Sequence, residues 1–294
     1  MEWMLDCNVV PPSVSDQMSV MSGFVLSVQS LAVRTQRSSK MKEKRRVRRR
    51  FSDDHTMFNE MTAMDQIIEA NEYERATLVT EGTTLREGDI AVSNMGGRTC
   101  FARSCLWSKS VDGHVYIAYT FSPEYNELDK KTITQGMELI EEDTCVRFVP
   151  RTHQRDYLDI KPKSGCWSYL GVRGGRQALS MQTPDCMSSG VAAHELMHAL
   201  GFVHEQSRAD RDNFVTIKWS NIWKDRLRNF EKFKTNNLDT PYDYGSLMHY
   251  SMYAYSEDGD PTIVPKSSWN VQMGQGYGPS RLDKVKINRL YKCG

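Results

Sequence analysis

The chain contains no C-x-x-C pair, no run approaching the ~20 apolar residues of a membrane span, and almost no net charge. The first absence argues against metal ligation by paired cysteines, and the second argues against a membrane-spanning helix. With 38 Lys plus Arg against 37 Asp plus Glu, the third removes any general reason to expect a nucleic-acid partner. An apolar leader is also missing at the extreme start, where Asp6, Pro11, Pro12 and Asp16 interrupt residues 1–17. The weak apolar run GFVLSVQSLAV at 23–33, following Met18 or Met21, is the remaining place for a signal region. There is no internal repeat.

What is present points to an oxidising compartment. Six of the seven cysteines lie between Cys100 and Cys293, with Cys7 alone near the start. An even set confined to the folded part suggests three disulfides and hence a secreted protein. The run KMKEKRRVRRR at 40–50 reads as a solvated linker or as a site for a basic-specific protease; a nuclear signal would fit the composition but not the cysteines. Met57, Phe58, Met61, Met64, Ile67 and Ile68 recur at helical spacing, so residues 56–80 are expected to hold a short amphipathic helix. Residues 1–95 read as a signal and pro-segment, and 96–294 as the main domain. Strands are expected at 115–119, 145–149, 157–160 and 177–181, and helices at 128–140, 221–233 and 281–291. Ser280 and Asp283 form a capping-box pattern for the last helix. This order implies an α+β fold, a mixed sheet with helices packed on it followed by a mostly irregular C-terminal part with a terminal helix.

Residues 194–208 read HELMHALGFVHEQSR. On a helix, His194 and His198 lie one turn apart on the same face and can both reach one metal. Glu195 sits beside them without being stacked on them, where a general base can reach a water. His204 cannot join from a continuing helix, because six residues at ~1.5 Å rise would carry it about 9 Å past His198. The helix must break, and Gly201 accepts the positive φ of such an end. The H-E-x-x-H-x-x-G-x-x-H pattern is the metzincin signature. Three protein ligands leave a zinc ion an open position, which marks a catalytic centre rather than a structural one. Ser246-Leu247-Met248-His249-Tyr250 is the expected methionine turn, with Met248 as an apolar floor under the ligands. Tyr250 can be a zinc ligand, a hydrogen-bond donor to an oxyanion, or a buried structural tyrosine.

HELMHALGFVHEQSRADRD at 194–212 and SLMHY at 246–250 resemble the astacin family, and the resemblance spans about residues 107–293. It implies a metzincin-type fold with a zinc cleft between two subdomains and an activity on peptide bonds. It further implies that Glu205 pairs with a new amino terminus after activation, although a surface carboxylate fits the sequence as well. Arg208, Asp210, Arg211 and Asp212 become an ion-pair cluster. Cys145 pairs with Cys293 and Cys166 with Cys186, leaving Cys100 for Cys105. That extra pair, with CLWSKSVDGHVYIAYTFS at 105–122, resembles the six-cysteine astacins of fish, hatching enzymes among them. Protein substrates, egg-envelope glycoproteins included, and an activating protease are the partners this implies. Other implied readings are a general secreted protease of another tissue and a zinc-containing module without catalysis. Glu87-Gly88-Asp89 matches the family's latency element, whose aspartate ligates zinc in place of water; outside this context Gly-Asp is a common turn. Arg86 or Leu85 stands at that element's aromatic position. The mature start is expected near residues 95–98, where no basic residue precedes it.

Overall fold

The computed structural model describes residues 61–80, 82–92, 105–268 and 270–294, which belong to the contact unit Glu60–Gly294. Cys7, the basic run at 40–50, Met57, Phe58, the expected mature start and Cys100 lie outside the described residues.

Helix α1 (Ala63–Thr80) begins where Thr62 caps Asp65 N–H at 3.1 Å. Met64 and Ile67, one turn apart, are buried in the main core, while Tyr73 on the far side is exposed. Two short strands follow, β1 (Thr84–Arg86) and β2 (Ile90–Val92), paired antiparallel. The remaining strands of the sheet are β3 (Val115–Phe121), β4 (Val146–Pro150), β5 (Tyr157–Lys161), β6 (Cys166–Tyr169) and β7 (Arg176–Met181). Their order is β1-β2-β6-β7-β5-β3-β4. β2 joins β6 in parallel, with Ile90 opposite Ser168 and Ala91 opposite Tyr169. β6 and β7 are antiparallel, and β7, β5, β3 and β4 run parallel to one another.

Helix α2 (Glu127–Glu141) crosses from β3 to β4, started by a capping box between Asn126 and Asp129. Ile133, Met137 and Ile140 form its buried face. Gly136 lets it approach α3 (Ser189–Ala199), since a Cβ there would sit 2.6 Å from the Ala192 methyl. Every residue of α3 after Ser189 is buried, its apolar residues in the core and His194, Glu195 and His198 buried with them. Beyond it the chain is irregular, apart from 3-10 turns, a two-stranded sheet of β8 (Val215–Ile217) and β9 (Ile263–Pro265), and the terminal helix α4 (Arg281–Tyr291) with its Ser280–Asp283 capping box.

One expected element is corrected. No α-helix spans 221–233; the chain forms 3-10 turns at Trp219–Asn221 and Lys224–Phe230. Ile222 bridges Ser256, and Trp223 N–H donates to Tyr255 O at 3.1 Å, so tertiary partners take the groups that a helix start would need. The strands that sequence reading misses, β1, β2, β6, β8 and β9, have three or four residues each, too few to show an alternation.

Cys145 is bonded to Cys293 and Cys166 to Cys186. Cys105 is also disulfide-bonded, and the expected partner, Cys100, falls outside the described residues. The first bridge closes a separation of 148 residues. Chain entropy for so long a loop is worth about 5 kcal/mol. Replacing Cys145 and Cys293 by serine is therefore expected to lower the thermal midpoint steeply under oxidising conditions while hardly changing it in reductant. Equal midpoints for variant and wild type in oxidising buffer would show that the bridge adds nothing.

Candidate active site

Helix α3 carries His194, Glu195 and His198 with side chains fully buried. It ends at Ala199, and Gly201 follows at φ +102°, with Gly201 N–H on His198 O at 2.8 Å and Phe202 N–H on Met197 O at 3.1 Å. This reversal brings His204 back, so that its ring lies 4.7 Å from His198 and 5.2 Å from His194. Each Nδ1 faces an acceptor: His194 the Leu247 carbonyl at 3.1 Å, His198 the Phe202 carbonyl at 2.7 Å, and His204 the Glu87 carboxylate at 2.9 Å. With Nδ1–H donating, each Nε2 lone pair is directed inward.

Asp89, on the turn entering β2, completes the cluster. Its Oδ2 lies 2.9, 3.4 and 3.2 Å from Nε2 of His194, His198 and His204. The four ligand atoms lie within 4.8 Å of one another. A tetrahedron of ~2.0–2.1 Å bonds has edges of roughly 3.3 Å, so these separations fit a single zinc ion. His198 Nε2 and Asp89 Oδ1 are buried with no hydrogen-bond partner, a further sign that the donor set is built round a cation. Charge agrees: burial lowers the His194 ring to about 4, leaving it the neutral form that ligates, although Asp89 pulls the other way. At His204 burial also lowers, but Asp89 and Glu87 outweigh it and raise the ring to about 9. The two carboxylates thus call for positive charge at the His204 ring, which a divalent cation would supply in place of the proton.

Glu195 is fully buried beside the cluster, and neither of its oxygens has a hydrogen-bond partner. Burial, and then the Asp89 charge, hold its carboxyl well above the usual range. Tyr250, also fully buried, donates to the Glu87 carbonyl at 2.5 Å, and its ring packs edge-on 4.9 Å from His204. Glu87 therefore grips both neighbours, His204 with its side chain and Tyr250 with its backbone, at a positive φ of 53°. Gly88 follows at φ +92°, and a Cβ there would collide with the Tyr255 phenol. Met248, in the methionine turn, is buried in the main core, with its carbonyl accepting from Glu205 N–H at 3.0 Å.

Glu205, which the resemblance pairs with a new amino terminus, is buried rather than a surface carboxylate and has partners in this structure. Its carboxylate already accepts from Arg208 at 3.0 Å, Lys286 at 2.6 Å and Asp243 N–H at 2.9 Å. A buried carboxylate left bare would be costly, and cations three residues along and on α4 offset that cost. Arg208 also forks onto Asp210, both contacts at 2.9 Å, while Arg211 pairs with Asp212 at 2.6 Å.

Three features of the site escape a reading of the sequence. Glu87 shows there within the latency element but with no role of its own, although an acid beside the glycine is the available signal. Arg226, buried and held by Glu72 of α1 through two bonds of 2.5 Å, has no visible partner because the pair is 154 residues apart. Asn71 binds the Cys166 backbone with both ends of its amide, at 2.7 Å each, and Gly88 O at 2.8 Å. No periodicity marks such a residue.

Histidines converging from a helix and from the loop after a glycine break, with a buried unbonded glutamate between the first two, define a zinc peptidase of the metzincin class. The astacin peptidase family matches residues 106–292. High choriolytic enzyme 1 of Oryzias latipes is 46% identical over 211 residues, 71% of this chain and 78% of that protein. Embryonic protein UVS.2 of Xenopus laevis is 45% identical over 235 residues, 79% of this chain and 44% of that protein. The solved structure of high choriolytic enzyme 1, a hatching enzyme zinc-protease from medaka, superposes with a TM-score of 0.65, covering 68% of this chain and 100% of its own. The chain belongs to the astacin family and is a zinc metalloendopeptidase.

Proposed function

We propose that the chain is the secreted, latent precursor of a zinc endopeptidase whose substrates are extracellular proteins, egg-envelope glycoproteins first among them. The observation that carries latency is the Asp89 carboxylate, which sits within 3.4 Å of all three imidazole Nε2 atoms. Residues 1–95 form the pro-segment in this reading, and a cut between residues 94 and 99 by an activating protease removes Asp89 and Glu87 together. The bridges at Cys145–Cys293 and Cys166–Cys186 support an extracellular setting. Among the described residues no helix is long and apolar enough to cross a membrane. The hatching role rests on the medaka relatives.

His194, His198 and His204 hold the metal in this proposal. Zinc bound there supplies Lewis acidity, polarising the scissile carbonyl and lowering the pKa of water toward ~7. Glu195 takes the proton from the attacking water and passes it to the leaving amine. Tyr250, freed from the Glu87 carbonyl, donates to the carbonyl oxygen as charge builds on it. The incoming amino terminus joins the Glu205 network. Loss of β1 and β2 bares the edge of β6, where an extended peptide can pair with the backbone.

The reading is tested by treating the refolded full-length chain with trypsin and offering it gelatin and an egg-coat extract. Cleavage of both after treatment, with none before, is expected. Cleavage of gelatin alone would remove the egg-envelope role, and no cleavage of either, with zinc bound, would remove the catalytic one. Tyr250→Phe is expected to lower kcat of the activated enzyme while leaving KM nearly unchanged, since its bond forms on the transition state. A change confined to KM would place Tyr250 in substrate binding instead.

A further inference from the structure

Helix α4 is distant in sequence from the histidines, yet two of its side chains end on the segments that carry them. Asp283 is 1% exposed. One of its oxygens accepts from Ser246 Oγ at 2.7 Å, and the other accepts from Leu247 N–H at 2.9 Å. The carbonyl of that same Leu247 faces His194 Nδ1 at 3.1 Å. One turn along α4, Lys286 donates to Glu205 Oε2 at 2.6 Å, and Glu205 directly follows His204. The two lines meet in the methionine turn, because Glu205 N–H donates to Met248 O and Met248 N–H to Ser246 Oγ at 3.1 Å.

A capping box accounts for only part of this. Asp283 serves its own helix by accepting from Ser280 N–H at 3.0 Å and is itself capped by Ser280 Oγ at 2.9 Å. The contacts to Ser246 and Leu247 are additional, and both go to the turn under the metal site. Past its other end α4 is tied down by the Cys145–Cys293 bridge, so it is a firm support for whatever it holds.

We propose that Asp283 and Lys286 are positioning residues for the metal centre: Asp283 fixes the Leu247 peptide that orients His194, and Lys286 fixes Glu205 and so the place of His204. The proposal rests on the zinc-peptidase reading and adds to it the elements that aim two of the three ligands. Partners one step behind a ligand set its ring orientation and tautomer, and their loss typically weakens metal binding about 10–100-fold.

The test uses the full-length precursor and reads zinc affinity by competition with a chromogenic chelator, beside a thermal midpoint for each protein. Asp283→Asn, Ser246→Ala and Lys286→Met are each expected to weaken zinc about 10–100-fold. Ile287→Val, buried on the same helix, is expected to lower the midpoint and leave zinc affinity as it was. If Asp283→Asn fails to fold, Ser246→Ala decides, since it breaks the same link while sparing the carboxylate. Wild-type affinity in Ser246→Ala and Lys286→Met, or an equal loss in Ile287→Val, overturns the proposal. A wild-type chain that binds no zinc at all overturns the peptidase reading itself; one equivalent in every variant at unchanged affinity overturns only the positioning role.

Discussion

Glu195→Gln is expected to leave the activated enzyme folded and loaded with zinc while cutting turnover at least ~10²-fold, the lower range for losing a general base. Glutamine keeps the volume of a side chain that is fully buried, so neither cavity nor overpacking accompanies the change. No hydrogen bond is lost, because both carboxylate oxygens are unbonded to protein groups. What disappears is the ability to take a proton, and with it the one unpaired base on α3 beside the imidazoles. Zinc content measured alongside kcat on a peptide separates this from loss of metal. A glutamine variant that turns over at the wild-type rate would remove Glu195 from the mechanism.

Asp89→Ala is expected to act on the precursor alone. The uncut variant should show activity where the wild-type precursor shows none, or be processed prematurely, and the mature enzyme should be unchanged because residue 89 is gone from it. The gain has a predictable shape. Asn71 still holds Cys166 and Gly88, Glu72 still holds Arg226, and the strand pair at 84–92 still covers the edge of β6. Short peptides that need little of that edge should therefore gain more than whole proteins. An uncut Asp89→Ala precursor as inert as wild type toward short peptides would place latency in these backbone and anchor contacts instead.

The helix carrying His194 and His198, the break at Gly201 and the return at His204 were legible in the sequence because all the constraints are local, within eleven residues. The long elements β3, α2 and α4 were legible for a related reason, since each carries enough residues to show a period. The capping box of α4, visible in the sequence, sharpens its start, and α2 has one of its own at Asn126 and Asp129. What sequence could not show was tertiary. Trp223 and Ile222 look helical until Tyr255 and Ser256 claim their backbones. Glu205 looks solitary until Arg208, Lys286 and the Asp243 peptide surround it. The α+β class survives such local errors because the layer architecture depends on the long elements.

Met64 and Ile67 are as deeply buried as any residue of the catalytic core, and α1 reaches both Cys166 on the sheet and Arg226 in the irregular half. If residues 1–95 are removed on activation, as proposed above, the enzyme loses a helix that packs into its own core, and the expected consequence is for folding: α1 would serve as a template for the parts it touches. The pair β1–β2 covers the β6 rim of the sheet, which would otherwise be an edge open to pairing with another chain. A chain started after residue 95 would have to bury its core and guard that rim unaided, so it should refold in poorer yield than the full chain that is cut afterwards.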